Sequence, residues 1–301
     1  MAEDQLSNNE MVALSGHERT EQGDWVTGLH PMDVLLRGER LPHIWCQGCG
    51  LGTALTTFIG ALQWLEKNQD WNLDKVAVVS GIGCTGRVAG YLRLDSFHTT
   101  HGRAIPFATG LKLANPELKV VVFSGDGDIA GIGGNHFIHA ARRNIDITAI
   151  VMNNRIYGMT GGQFSPLSGE NVRATTAPYL TIDPGFDVVE LSKAAGATFV
   201  ARTTTYHIQQ MTDIIQQAIL HEGFSVVEIF SQCPTYFGRK NKAGDAVDMI
   251  TYFKKNTTPI GSKAKKDNPN LIERGIFVQK ELPEYCNEYE KIIQRAQASQ
   301  G

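Results

Sequence analysis

This 301-residue sequence predicts a doubly wound α/β fold on a mainly parallel sheet, and three observations support that class. Val- and Ile-rich runs of strand length alternate with segments whose apolar residues recur at helical spacing. The runs are apolar throughout, as strands covered on both faces are. Several of them end in glycine-containing turns, the usual exit from a strand toward a crossover helix. The chain is long enough to bury a core, in one large domain or two small ones, without covalent staples.

The elements follow in order. Residues 1–24 show no apolar period and are expected to form a flexible arm. Leu51, Ala54, Leu55, Phe58, Ile59, Leu62 and Leu65 mark an amphipathic helix over 50–66. "KVAVVSGIG" (75–83) is a buried strand that leads into a glycine loop. "PFATGLKLAN" (106–115) is helical, "LKVVVFSGDGD" (118–128) is a strand that ends in a turn, and "GGNHFIHAARRN" (133–144) is a helix. "IDITAIVMNN" (145–154) is the next strand. Beyond a polar stretch from 158 to 178, "VVELSKAAG", "ATFVAR", "YHIQQMTDIIQQAILHEG" and "FSVVEIF" continue the alternation, so the sheet is expected to run to about residue 230. Residues 240–301, with Lys-rich and Pro-containing connections and the short amphipathic "YCNEYEKIIQRA", are expected to pack as an appendage on the body or on a partner. The main domain is then 25–239.

Composition narrows the function. A formal charge of −3 gives no basic field for nucleic acid, and the one Lys cluster is "SKAKK" at 262–266. The acidic, polar start is unlike a secretory signal, and no apolar run approaches the ~18 residues of a membrane span. The expected setting is cytoplasmic, without membrane contact. Five cysteines in a reducing compartment point to metal binding or catalysis before disulfides. There is no G-x-S-x-G elbow for a hydrolase and no GK[ST] for a Walker A loop.

"SGDGD" follows one strand and "MNN" ends the next, with a helix between them. In a right-handed βαβ unit this puts Asp126 and Asn154 at neighbouring strand ends. A carboxylate and an amide oxygen there suit Mg²⁺ completed by phosphate oxygens and water. Gly125 and Gly127 would let phosphates approach the backbone. Either motif alone is accounted for by an ordinary turn; both in this order point to a site.

GDG followed some thirty residues later by NN resembles the thiamine diphosphate motif. The longer "GDGDIAGIGGNHFIHAARRNIDITAIVMNNRIYGMTGGQFSP", with "LRGERLPHIWCQGCG" and "HGRAIPFATGLKLANP", resembles the β subunits of 2-oxoacid:ferredoxin oxidoreductases over about residues 30–240. Among subclasses it is most similar to the 2-oxoglutarate-specific enzymes. The resemblance implies the thiamine diphosphate-binding fold. It also implies Mg²⁺ held by the side chains of Asp126 and Asn154 and the carbonyl of Ile156, with Gly125, Gly127 and Asp128 lining the cofactor. Gly83, Cys84 and His101, together with Gly158, Met159 and Thr160, complete the expected cofactor contacts, and the "TGGQ" segment that begins at Thr160 is expected to help close the pocket.

Cys46, Cys49, Cys84 and Cys233 all fall at element ends, and Cys286 does not. Four such thiols suit a [4Fe–4S] cluster or a structural zinc, and the CxxC pair also suits a dithiol couple; spacing alone does not choose. The resemblance implies one [4Fe–4S] cluster on these four cysteines beside the thiamine. Oxidative decarboxylation of a 2-oxoacid releases two electrons before the acyl group reaches coenzyme A, and a cluster accepts them singly. Gln47 stands where this subgroup often has Pro, which removes no ligand.

Arg87, three residues after Cys84, is the better-placed of the loop cations to pair with a substrate carboxylate. Thr85 is a weaker candidate for a hydrogen bond to substrate, and His98 and Arg103 are accounted for as surface or loop-capping groups. The resemblance further implies a separate α subunit in an α2β2 assembly, ferredoxin as acceptor, coenzyme A as co-substrate and succinyl-CoA as product, with the reaction reversible under a strong reductant. Pyruvate or branched-chain specificity, a non-redox thiamine decarboxylase carrying zinc, and a catalytically silent metal-binding subunit remain as alternatives.

Overall fold

The computed structural model describes Met32 and residues 34–299, and the arm expected at 1–24 lies outside them. The order of elements is α1 (Gly50–Gln69), β1 (Val76–Ser80), β2 (Asp95–His98), α2 (Ala104–Ala114), β3 (Lys119–Gly125), α3 (Gly134–Arg143) and β4 (Ile147–Asn153). A small hairpin of β5 (Ile156–Tyr157) and β6 (Gln163–Phe164) follows. Then come α4 (Val188–Ala195), β7 (Phe199–Thr204), α5 (Ile208–Leu220), β8 (Ser225–Phe230), α6 (Ala246–Asn256), β9 (Thr257–Pro259), β10 (Ile272–Gln279) and α7 (Tyr285–Ala298).

The eight-stranded sheet runs β2-β1-β3-β4-β8-β7-β10-β9. Every neighbouring pair is parallel except β7 and β10. Strand periodicity divides the core into two. Val121, Phe123, Ile150, Met152, Val227 and Ile229 point to the face where α1 and α5 supply Phe58, Leu62, Ile214 and Ile215. Val120, Val122, Ala149, Val151, Val200 and Val226 point to the other, covered by Ala108, Phe137, Ala140 and Val188 of α2, α3 and α4. Residues alternate between faces, yet both faces are buried, so β1, β4, β7 and β8 carry no exposed position.

Two departures from expectation lie at the sheet edges. The four residues of β2, "DSFH", are all exposed, and a short polar edge strand leaves no apolar run to read. At the far edge the sheet continues past residue 230, because β9 and β10 from the C-terminal segment extend it. β10, "IERGIFVQ", is only partly buried and carries charges, which disguised it in sequence. The C-terminal segment therefore packs on the body through backbone pairing. Among the described residues no helix is long and apolar enough to cross a membrane.

β1 has β2 on one side and β3 on the other, so the chain winds outward in both directions from β1 and β3. Open α/β sheets gather ligands beyond the carboxyl ends of strands at such a switch point. The loops that leave β1, β3, β4 and β8 there carry Cys84, Asp126, Asn154 and Cys233.

Candidate functional site

Two hydrogen bonds bring the thiol-bearing loops together. Trp45 Nε1 donates to the Cys84 carbonyl at 2.8 Å, which ties the CxxC loop to the loop after β1. The Gly50 amide donates to the Gln232 carbonyl at 3.2 Å, tying the same loop to the one after β8. A Cβ on Gly50 would lie 2.4 Å from Ser231 Oγ, and one on Gly48, at φ +72, 2.3 Å from the Ala246 Cβ, so glycine is required at both positions. Cys49 is the N-cap of α1. Burial pushes its thiol up to about 12 and that of Cys84 to about 11, and the neighbouring cysteines add to both shifts. Burial raises Cys233 as well, with contributions from Cys46 and Asp126. Cys46 is the exposed member of the four. Among the described residues no group of three or more His, Cys, Asp or Glu side chains is already set to hold a metal ion. Cys286 is buried near Glu284, Lys112 and Asp146, at the amino-terminal end of the sheet.

Asp126 follows β3 and is 2% exposed. Ser165 Oγ donates to its Oδ2 at 2.6 Å, but burial dominates and pushes the carboxyl up to about 7. A carboxylate this dry calls for a compensating cation. The Asn154 turn stands beside it after β4. Asn154 Oδ1 accepts the Ile156 amide at 3.1 Å, and Arg155 between them takes the left-handed φ of +61. The chain then forms the β5–β6 hairpin, which carries Gly158. A Cβ on Gly158 would lie 3.3 Å from Cys84 Sγ and 4.0 Å from Cys233 Sγ. The Met159 amide also approaches the Cys84 thiol. The hairpin thus joins the thiol group to the Asp126–Asn154 pair.

Other expected residues hold different contacts. Asp128, 3% exposed, faces inward and binds three segments. It accepts the Gly102 amide at 2.7 Å, Ser124 Oγ at 2.6 Å and the Ile82 amide at 3.3 Å. His101 Nδ1 lies 2.6 Å from its Oδ1, although the ring N–H is not in hydrogen-bonding alignment. Gly127 makes room for Tyr157, whose hydroxyl donates to the Gly127 carbonyl at 2.7 Å. A Cβ at Gly127 would sit 2.3 Å from the Tyr157 ring. Gly127→Ala is therefore expected to cost about 1–3 kcal/mol by overpacking, as chemical denaturation would show. Gly125 faces Thr85, with Oγ1 3.4 Å from its would-be Cβ, and Gly83 holds φ +101. Thr160 Oγ1 donates to Gln163 Oε1 at 2.6 Å, and Met159 is 44% exposed. Arg87 is exposed on the turn Thr85–Tyr91. Trp45, Tyr157 and Ser165 were not singled out in sequence. Their roles depend on neighbours 30 or more positions away, so no local spacing reveals them.

The strand-end carboxylate, the asparagine turn and the parallel sheet define a thiamine-type cofactor domain. Residues 66–229 match the family described as thiamine pyrophosphate enzyme, C-terminal TPP binding domain. The chain is 51% identical over 262 residues to the 2-oxoglutarate synthase subunit KorB of Methanothermobacter marburgensis, covering 86% of this chain and 90% of that protein. It is 48% identical over 271 residues to the KorB of Methanocaldococcus jannaschii, covering 89% and 98%. In structure it is similar to the 2-oxoglutarate:ferredoxin oxidoreductase of Magnetococcus marinus solved with 2-oxoglutarate, coenzyme A and succinyl-CoA, with a TM-score of 0.78, 31% identity and coverage of 90% and 92%. The chain belongs to the KorB family of 2-oxoglutarate synthase subunits.

Proposed function

We propose that this chain is the β subunit of a 2-oxoglutarate:ferredoxin oxidoreductase, working with a separate α subunit in an α2β2 assembly in the cytoplasm. The reaction takes 2-oxoglutarate, coenzyme A and two oxidised ferredoxins to succinyl-CoA, CO₂, two reduced ferredoxins and a proton. The observation that carries this reading is the hairpin at Gly158, which places Cys84 and Cys233 against the segment leaving the Asp126–Asn154 pair. A redox group there adjoins a thiamine site, as two-electron oxidation of a bound 2-oxoacid requires.

The donor set fits both groups. Cys46, Cys49, Cys84 and Cys233 would hold one [4Fe–4S] cluster by closing onto it, and its iron would convert thiols kept neutral by burial into thiolates. Asp126, Asn154 and the Ile156 carbonyl would hold Mg²⁺. When bound, thiamine diphosphate supplies the electron sink for decarboxylation and the cluster stores single electrons. The chain's own residues orient and enclose. Asp128 fixes the loops carrying Gly83 and His101, and the hairpin residues Gly158, Met159 and Thr160 border the cofactor. The division expected from the sequence, a cofactor domain over 25–239 with 240–301 as an extension, is kept in this reading, and the described part of that extension pairs with the sheet through β10. Metal analysis of the anaerobically purified complex tests the reading, with iron and sulfide expected and zinc alone excluding it.

Arg87 is assigned to a carboxylate of the substrate, with Thr85 beside it. Losing one charge-assisted hydrogen bond costs about 1.5–3 kcal/mol, so Arg87→Met should lower kcat/KM for 2-oxoglutarate roughly ten- to a hundredfold. Steady-state kinetics with methyl viologen as acceptor, on both 2-oxoglutarate and pyruvate, would check this. An equal fall for pyruvate would place Arg87 on the carboxylate common to all 2-oxoacids, and unchanged kinetics would remove it from the site.

A further inference from the structure

Asn153, the first asparagine of the pair, is 4% exposed and looks away from solvent into a buried row of polar groups. Its Nδ2 donates to Glu228 Oε1 at 2.7 Å, and its Oδ1 accepts the Arg155 amide at 3.3 Å. Glu228 is 1% exposed, and its second oxygen accepts Arg202 Nε at 2.6 Å. Arg202 Nη2 reaches Asp187 Oδ1 at 2.6 Å, and Asp187 caps α4. The sheet register sets this row. Arg202 pairs with Glu228 across β7 and β8, and Glu228 with Val151 across β8 and β4. Asn153, two positions past Val151, lies on the same face.

Donor and acceptor inventories then leave one orientation. Arg202 only donates and the Glu228 carboxylate only accepts, so Asn153 must turn its NH₂ toward Glu228 and its oxygen toward the Arg155 amide. That last bond matters because Arg155 holds φ +61, which non-glycine residues seldom adopt. We propose that Glu228 is a positioning residue for the cation site: anchored by Arg202, it fixes the Asn153 amide, which holds the left-handed turn that presents Asn154 and Ile156. The inference rests on the Mg²⁺ site proposed above.

Glu228→Gln separates this role from simple packing. Arg202 would claim the new amide oxygen, leaving two NH₂ groups opposed at Asn153. Asn153 would have to turn over and set its NH₂ against the Arg155 N–H. Adding Asn153→Asp repairs every contact: the introduced carboxylate accepts from the new side-chain amide at position 228 and from the Arg155 amide, and the charge of the pair is unchanged. The readout is Mg²⁺ affinity of the assembled complex with thiamine diphosphate present, by calorimetry, with circular dichroism and subunit stoichiometry as checks on folding. Glu228→Gln should weaken Mg²⁺ roughly ten- to a hundredfold, the range for residues that orient metal ligands. The double variant should return to within about threefold of the parent, since the hydrogen-bond set is complete again. Unchanged affinity in Glu228→Gln, or a double variant no tighter than the single, would overturn the proposal. Should Glu228→Gln fail to assemble, the double variant decides alone, with parent-like affinity supporting the proposal and weak affinity rejecting it. Asp126→Ala distinguishes the two layers: if it leaves Mg²⁺ binding intact the site itself is misplaced, and if it abolishes binding while Glu228→Gln does not, only the positioning role fails.

Discussion

Cys84→Ser is expected to strip the anaerobically purified complex of most of its iron, from about four atoms per β chain, the content of one Cys₄-held cubane, to less than one. Ferredoxin-linked turnover should fall with it, below about a thousandth of the parent, because a single-electron acceptor can no longer be served from the site. Cys84 is the most exacting of the four to replace. Its carbonyl is the acceptor for Trp45, and its sulfur faces the space left by Gly158, so its position is fixed from two directions. Serine is close in size, leaves the Trp45 bond in place and removes only the soft ligand. The fold and the Asp126–Asn154 pair should therefore survive, and thiamine diphosphate should still bind. Cys286→Ser is the control. That thiol sits among Glu284, Lys112 and Asp146, so iron content should not change. Iron and sulfide determination with visible absorbance provides the measurement. A parent complex with stoichiometric zinc and no iron would defeat the assignment.

How much of this was legible in the sequence depended on where each interaction is made. β3 and β4 were plain because residues facing both cores are apolar, whereas β2 is exposed throughout and β10 is only partly buried. Asp126, Asn154 and the four cysteines were singled out by residue type and placement at element ends. The glycines were found for a different reason from the one the structure gives for Gly127, which admits the Tyr157 ring. No sequence rule could place that ring thirty residues away. Asp128 was singled out as lining the cofactor, and its carboxylate gathers Gly102, Ile82 and Ser124, contacts that its place in the motif does not reveal. Glu228 was passed over inside the apolar run "FSVVEIF", and only the register shows it opposite Arg202. Chemistry carried by a residue's type was readable; chemistry assigned by its neighbours was not.

Asp126→Ala is expected to abolish Mg²⁺-dependent thiamine diphosphate binding, weakening it at least about a hundredfold, since it removes the one charged ligand from a site otherwise built of neutral oxygens. The pH dependence makes the test specific. Burial pushes the Asp126 carboxyl up to about 7, and the Ser165 hydrogen bond offsets only part of that. With its carboxyl raised to about 7, the metal-free protein should keep this proton until near neutrality, and Mg²⁺ would have to displace it. Parent affinity should then rise about tenfold per pH unit up to about pH 7 and level off above. The same proton sets a stability slope. The folded state holds it more tightly than the unfolded chain, whose aspartates titrate near 3.9, so metal-free stability falls as pH rises between about 4 and 7 and is flat above. At about 1.4 kcal/mol per pKa unit, this one group contributes a few kcal/mol across that window. Mg²⁺ should cancel the slope because the cation replaces the proton, and Asp126→Ala should remove it in the absence of metal. Urea denaturation of the parent and variant from pH 5 to 8, with and without Mg²⁺, together with calorimetry of thiamine diphosphate on the folded complexes, measures both effects. Undiminished cofactor affinity in Asp126→Ala would place the Mg²⁺ ligands elsewhere, and a parent affinity flat from pH 5 to 8 would show that Asp126 is already ionised without the metal.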